Sequence, residues 1–234
     1  TVDNIETATT LYQSGVLGLQ SNKPQLIETV VQGKHKKILD AGGSTEVIHA
    51  MIKVKDIQDV KNGIKQAREE GKKISIAGRR HSMGGHTIYK DAIFLDMLHF
   101  NDVTYNPDAQ TVTVQAGATW KKIQEVLARH GRSIKVMQSD NIFTVGGSIG
   151  VNVHGWQVGA APIGSTIVKM NVITAGGVVK MLSPSANLEL FNAVIGGYGM
   201  FAIILDAELE TVPNNLVEFN ALYTTIENVI ETFE

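Results

Sequence analysis

The sequence predicts an α+β fold of two α/β subdomains, a small one with parallel strands and a mainly antiparallel one carrying helices. Three observations carry this. A strand–helix–strand order from Val47 to Ala77 implies a parallel crossover, right-handed by the general rule. Gly176-Gly177 separates two strand-like runs, which is a hairpin signal. Phe201 to Val212 alternates over the length of a long strand.

Residues 1–45 read as an N-terminal extension. Leu11, Gly15, Leu17 and Leu19 give weak helical patterning, and Lys34-His35-Lys36-Lys37 suits a solvated face. Val47, His49, Met51 and Lys53 then read as a short strand. Asp56 is an N-cap, because its carboxylate can accept the free amides of a first helical turn. Ile57, Val60, Ile64 and Ala67 follow at helical spacing, and Gly71 ends the helix. Ile74-Ser75-Ile76-Ala77 is a strand that runs straight into a glycine-rich segment. Ala92 to Met97 is the next strand, Asn106-Pro107-Asp108 a turn, and Thr111 to Gln115 another strand. A helix starts at Thr119 with Ile123, Val126 and Leu127 on one face and closes at Gly131. Thr166 to Thr174 and Val178 to Leu182 flank the hairpin, Leu188 to Ile195 is a short helix, and the long strand ends at Pro213. The expected organisation is residues 46–214 as one domain, with subdomains of about 46–138 and 139–214. Residues 215–234 would begin a further lobe, since Ile226-Glu227-Asn228-Val229-Ile230 reads as the start of an amphipathic helix.

Composition excludes several classes. The 234 residues carry 21 basic and 23 acidic side chains, so no general attraction to nucleic acid or an anionic surface is expected. Cysteine is absent, which rules out disulfides, thiolate nucleophiles and cysteine-ligated metal and leaves the compartment open. No apolar run approaches the roughly 20 residues that span a bilayer. The chain opens on Thr1-Val2-Asp3 with no signal-peptide pattern.

Three glycine-rich segments are candidates for holding an anion. Gly78-Arg79-Arg80-His81-Ser82-Met83-Gly84-Gly85 follows a strand directly. Glycines let successive N–H groups turn toward one anion, Ser82 adds a hydroxyl, and Arg79 or Arg80 adds charge. The same residues also suit a tight turn with its arginines in solvent. Val145-Gly146-Gly147-Ser148-Ile149-Gly150 has no charge, so an anion there would rest on amides and on Ser148 or Thr144. Close packing of two chain segments explains those glycines equally well. Gly196-Gly197-Tyr198-Gly199-Met200-Phe201-Ala202 formally contains G-x-G-x-x-A. Its order of helix, glycines, strand is the reverse of what a dinucleotide fingerprint needs. His81 and His86 lie in the first loop and His154 follows the second, but no acidic or third histidine partner sits at metal-ligand spacing, and no metal is expected.

Taken together and in this order, five segments resemble the FAD-binding domain of the vanillyl-alcohol oxidase and p-cresol methylhydroxylase (PCMH-type) family over about Val47 to Pro213. They are Ile74 to Ser82, Ala92-Ile93-Phe94-Leu95-Asp96-Met97, Val112 to Ala118, Val145-Gly146-Gly147-Ser148, and Phe191 with Ile195 to Ile203. The resemblance implies FAD lying between two subdomains. Its contacts would be Gly78, Arg79, Arg80, His81, Ser82, Met83, Gly84, His86, Thr144, Gly146, Gly147, Ser148, Gly150 and His154, with Ile203 at the adenine. Ala202 stands where the family commonly has glycine. His81, just before Ser82, holds the place from which family members often bond the flavin C8 methyl, and a neutral imidazole is a competent nucleophile. Arg80 before His81-Ser82, and His154-Gly155, resemble the sugar-alcohol and aldonolactone oxidases. Gly78-Arg79-x-His81-Ser82 is also similar to cytokinin dehydrogenases, whose substrate-face Asp makes Asp140 a catalytic candidate, at a spacing to Val145 one residue short. A solvated loop aspartate is the other reading of Asp140. The implied activity is oxidation of a small-molecule alcohol, sugar or aldonolactone, or amine by hydride transfer to flavin N5. A non-catalytic flavin-binding module and a non-covalent FAD-linked 2-hydroxy-acid dehydrogenase are the alternatives. The family's substrate lobe would lie beyond residue 214.

Overall fold

The computed structural model describes residues 36–157, 159–218 and 220–233. The patterning of Leu11 to Leu19, and Lys34 and His35, lie outside the described residues. Lys37 is exposed, as a solvated basic face requires.

The described chain opens with an antiparallel pair, β1 (Lys36–Leu39) and β2 (Thr45–Ile48). At His49 it passes into a second sheet as β3 (Ala50–Lys53), so the single strand expected from Val47 to Lys53 is two strands in different sheets. Helix α1 (Ile57–Glu69) starts at Asp56. The Asp56 carboxylate accepts the Gln58 and Asp59 amides at 2.8 and 3.0 Å, and Asp59 returns a bond to the Asp56 amide. That reciprocal box satisfies donors a helix start otherwise leaves open. Val60, Ile64 and Ala67 are buried, and Gly71 turns the chain away at φ 64°.

Strand β4 (Ile74–Ala77) follows, then β5 (Ile93–Asp96). The sheet order is β3-β5-β4, all parallel. The expected crossover from β3 to β4 is therefore parallel, but the two strands are separated by β5. At the strand starts, His49 Nε2 lies 2.7 Å from Glu70 Oε2, and Lys72 Nζ meets Asp91. The glycine loops lie at the other end.

The rest of the chain builds the antiparallel lobe. It contains β6 (Val103–Asn106), β7 (Thr111–Gln115), α2 (Trp120–Ala128), β8 (Arg132–Ile134), α3 (Val145–Gly150), β9 (Ile167–Ile173), β10 (Val179–Leu182), α4 (Leu188–Val194) and β11 (Ile203–Pro213). The sheet runs β10-β9-β11-β7-β6, with β8 also on β11. Chain order would group β6 and β7 with the parallel strands; pairing to β11 carries them into the antiparallel sheet. Gly177, at φ 77°, closes the β9–β10 hairpin.

Two cores meet along β11. Ile203 and Leu205 pack with α1, β3 and β5, whereas Ala207 and Leu209 pack with α2, α3 and α4. Register irregularities interrupt β11 between Ile204 and Asp206, where the strand changes the core it serves. A short helix α5 (Val229–Phe233) lies in a tail whose described residues are exposed. No helix among the described residues is long and apolar enough to cross a membrane.

Candidate functional site: a cavity between two glycine segments

Strand β4 delivers Gly78 to the start of α3, and the contact there is as close as the chain allows. A Cβ on Gly78 would lie 2.1 Å from Thr144 Oγ1, so only glycine lets the two segments touch. Around this seam opens a cavity of about 360 Å³, within the range of about 300–1,000 Å³ typical of small-molecule sites. Ile74 and Ile76 of β4, Met97, Ala116 and Ile204 give it apolar walls. Gly78, Gly146, Gly147 and Gly150 form its polar, backbone-lined side.

The main-chain N–H groups of residues 79–84 make no hydrogen bond among the described residues, and the loop is exposed or half-buried, so these donors are open to solvent or a ligand. In the second segment the sequence suggested a loop, but residues 145–150 form a helical turn. Its Val145 and Gly146 amides donate to Ala118 and Ala116 carbonyls at 2.9 and 2.8 Å, and the Ser148 amide to Thr144 at 3.0 Å. Thr144, the N-cap, makes no side-chain cap bond. The Gly147 amide is thus the donor that this turn leaves open, beside the Thr144 hydroxyl on the cavity wall.

The expected residues separate into groups. Gly78, Ser82, His86, Thr144, Gly146, Gly147 and Gly150 line the cavity. Ser82 Oγ is 3.3 Å from Thr87 Oγ1, and the His86 ring stands 5.3 Å from that of Tyr198. Arg79, Arg80, His81, Met83 and Gly84 belong to the same loop without lining the cavity. Neither guanidinium has an ion pair or hydrogen bond among the described residues. Arg80 is held at φ 58°, a left-handed conformation that costs a non-glycine residue of order 1–3 kcal/mol. The His81 ring is exposed, makes no hydrogen bond among the described residues, and meets Phe143 edge-on at 4.7 Å.

Four expectations are placed differently. Ser148 faces the core: it is 2% exposed, accepts the Trp120 indole N–H at 3.0 Å and bonds Gln138 Oε1 at 2.8 Å. Ile203 points into the parallel-lobe core, and its neighbours Ala202 and Ile204 line the cavity. Strand alternation accounts for the exchange, since adjacent side chains take opposite faces. His154 is exposed, with Nδ1 3.3 Å from the Gly155 carbonyl, and lines nothing. Asp140 is exposed and also outside the cavity wall. Among the described residues no group of three His, Cys, Asp or Glu could hold a metal ion.

Sequence reasoning missed Tyr198, Tyr89, Ala116 and Val151 on the wall. Tyr198 carried a signal: it lies between glycines and adopts φ 51°. The donor set suits a diphosphate beside a planar ring system, with open amides for the anion and isoleucine, methionine and aromatic surface for the rings.

Comparison with known proteins agrees with this geometry. Residues 48–183 match a family model described as an FAD binding domain. Decaprenylphosphoryl-beta-D-ribose oxidase of Mycolicibacterium smegmatis is 28% identical over 190 residues, covering 80% of this chain and 41% of that protein. L-gulonolactone oxidase of Bos taurus is 24% identical over 76% of this chain and 40% of its own length. Cytokinin dehydrogenase 2 of Arabidopsis thaliana is 31% identical over 64% of this chain and 31% of its own. The chain thus spans about two fifths or less of these relatives. The crystal structure of 6-hydroxy-D-nicotine oxidase from Arthrobacter nicotinovorans shares the fold, with a TM-score of 0.66 at 20% identity over 70% of this chain and 36% of that one.

Proposed function

The chain belongs to the FAD binding domain family, with residues 48–183 matched, and from that premise we propose that it holds FAD for an oxidase or dehydrogenase acting on an alcohol, a sugar or aldonolactone, or an amine, with His81 as a covalent anchor. The observation that carries the reading is the seam where Gly78 abuts Thr144, with the unpartnered amides of residues 79–84 following directly on one side and the open Gly147 amide on the other. Those N–H groups would hold the diphosphate, and Arg79 and Arg80 would add positive charge from the same loop. Gly146 contributes closeness of approach, because its own amide is spent on Ala116. Thr144 and Ser82 offer hydroxyls, and Ile74, Ile76 and Ile204 exclude water from the ring-binding side. Bound FAD supplies the two-electron acceptor at N5, and the protein supplies position and electrostatics.

His81 suits the anchor role because its imidazole is exposed and uncommitted to any hydrogen bond among the described residues. Phe143 steadies the ring from one edge. The cavity wall contains no carboxylate among the described residues, and His86, Tyr89 and Tyr198 are its titratable side chains. Residues 215–233, with Leu216, Val217 and Tyr223 exposed, are read as the start of the lobe that covers the substrate. The similarity to a decaprenylphosphoryl-beta-D-ribose oxidase, an L-gulonolactone oxidase and a cytokinin dehydrogenase supports this substrate range.

Acid precipitation of the FAD-loaded protein tests the reading. Flavin colour is expected to stay with the pellet in the wild type and to pass to the supernatant in His81→Ala. Colour in the wild-type supernatant rejects the covalent anchor but keeps the FAD site. A protein that takes up no FAD at all rejects the site.

A further inference from the structure

We propose that the turn at residues 40–44 is a strap that sets the shape of the phosphate loop, with Asp40 as its positioning residue; this rests on the FAD reading above. Asp40 lies in the part of the chain that sequence patterning left unread, between β1 and β2. Its side chain is 4% exposed. One carboxylate oxygen accepts the Ser44 amide at 2.8 Å, which closes the turn on itself. The other accepts the Gly85 amide at 2.8 Å, across 45 residues of sequence, at the far end of the phosphate loop.

Two further contacts join the same turn to the same loop. The Ala41 amide donates to the Arg80 carbonyl at 2.9 Å. Gly42 lies so close that a Cβ there would be 2.5 Å from the Met83 carbonyl oxygen and 2.7 Å from Met83 Cα. The strap thus touches positions 80, 83 and 85 and leaves the amides of 79–84 open. Its grip on Arg80 has a directional consequence. A peptide is planar and trans, so the N–H of His81 points opposite to the Arg80 carbonyl. Holding that carbonyl against Ala41 turns the His81 amide away from the strap. Arg80 itself adopts a left-handed conformation (φ 58°) at a position that has no glycine. No residue of 40–44 lines the cavity, so the strap acts through the loop and not on the ligand. A carboxylate suits the position better than an amide: both of its oxygens accept, whereas asparagine would set an NH₂ group against one of the two N–H donors.

The test compares the 234-residue wild type with Asp40→Asn and Gly42→Ala, each titrated with FAD and with ADP, alongside hydrogen exchange of the unliganded proteins. Both variants are expected to raise the dissociation constants for FAD and ADP about tenfold or more. Exchange at the Ser44 and Gly85 amides, which Asp40 holds, should quicken while the α1 amides keep their wild-type protection, a pattern that general destabilisation would not produce. If Asp40→Asn does not fold, Gly42→Ala decides, because it displaces the turn with the carboxylate intact. Folded variants that bind both ligands like the wild type, with unchanged exchange at Ser44 and Gly85, overturn the strap. A wild type that binds neither FAD nor ADP overturns the FAD reading and the strap with it.

Discussion

Gly78→Ala probes the seam on which the site depends. The added Cβ would sit 2.1 Å from Thr144 Oγ1, 2.8 Å from its Cγ2 and 2.9 Å from its Cβ. Against an ordinary contact of about 3.4 Å, the worst overlap is about 1.3 Å. Thr144 cannot yield easily, since it is 4% exposed, β-branched and fixed at the start of α3. Relief must come from moving β4 and α3 apart. Overpacking of this kind costs about 1–3 kcal/mol, and for a chain of this size about 2 kcal/mol lowers the melting temperature by roughly 4–8 °C. The movement also spreads the amides of the first loop from that of Gly147, so FAD affinity falls with stability. Adding Thr144→Ala removes the two side-chain atoms beyond Cβ and their overlaps, and costs little alone because Thr144 makes no cap bond. The double variant is expected to recover about 1 kcal/mol or more relative to additivity. Thermal melts and flavin-fluorescence titrations of the four proteins measure both quantities. A Gly78→Ala protein that melts and binds like the wild type, or strictly additive effects, would refute the argument that this contact holds the two segments together.

Asp56→Ala removes the capping box of α1 and should cost about 1 kcal/mol, read as a lowered urea midpoint with an unchanged slope. Ser148→Ala deprives the buried Trp120 indole of one of its two acceptors and should cost about 1–3 kcal/mol; stability equal to wild type in a thermal melt would show that Gln138 alone suffices. Burial pushes the Asp206 carboxyl above the usual carboxylate range, against an opposing bond from Asn171 Nδ2 at 2.8 Å. A raised folded-state value means that Asp206 favours folding most when protonated, and that this contribution is lost as pH rises through the raised value. Asp206→Asn, which keeps an acceptor for Asn171, should therefore be more stable than wild type near neutrality. Its advantage should vanish below the ordinary aspartate value of about 3.9; melts across pH that show no such convergence count against it. Glu208 has the opposite sign. The Thr111 hydroxyl at 2.7 Å and Lys169 hold it below the usual range, so its contribution is present above the ordinary glutamate value and is lost on acidification through the lowered one.

What could be read from the sequence was local. Asp56 announces a helix because its acceptor lies within three residues of the amides it caps. Gly177 marks a hairpin because a positive φ is a single-residue property. The glycine segments were legible as candidate anion sites for the same reason, and their order along the chain pointed to the family. The sequence could not say which amides were already spent: Gly146 donates to Ala116, and that pairing depends on how α3 packs. Nor could it choose between Ile203 and Ile204, since alternation defines two faces without naming the one that meets the cavity.

The amino-acid sequence by itself determined the helix that Asp56 caps, the hairpin at Gly177 and the loops rich enough in glycine to approach a ligand, because each is an energy minimum of a few neighbouring residues. Only the tertiary structure decided that Asp40 grips Gly85, that β7 joins β11, and that Gly78 abuts Thr144. Those contacts link residues far apart in the chain, and their energy exists only once the whole core has brought them together.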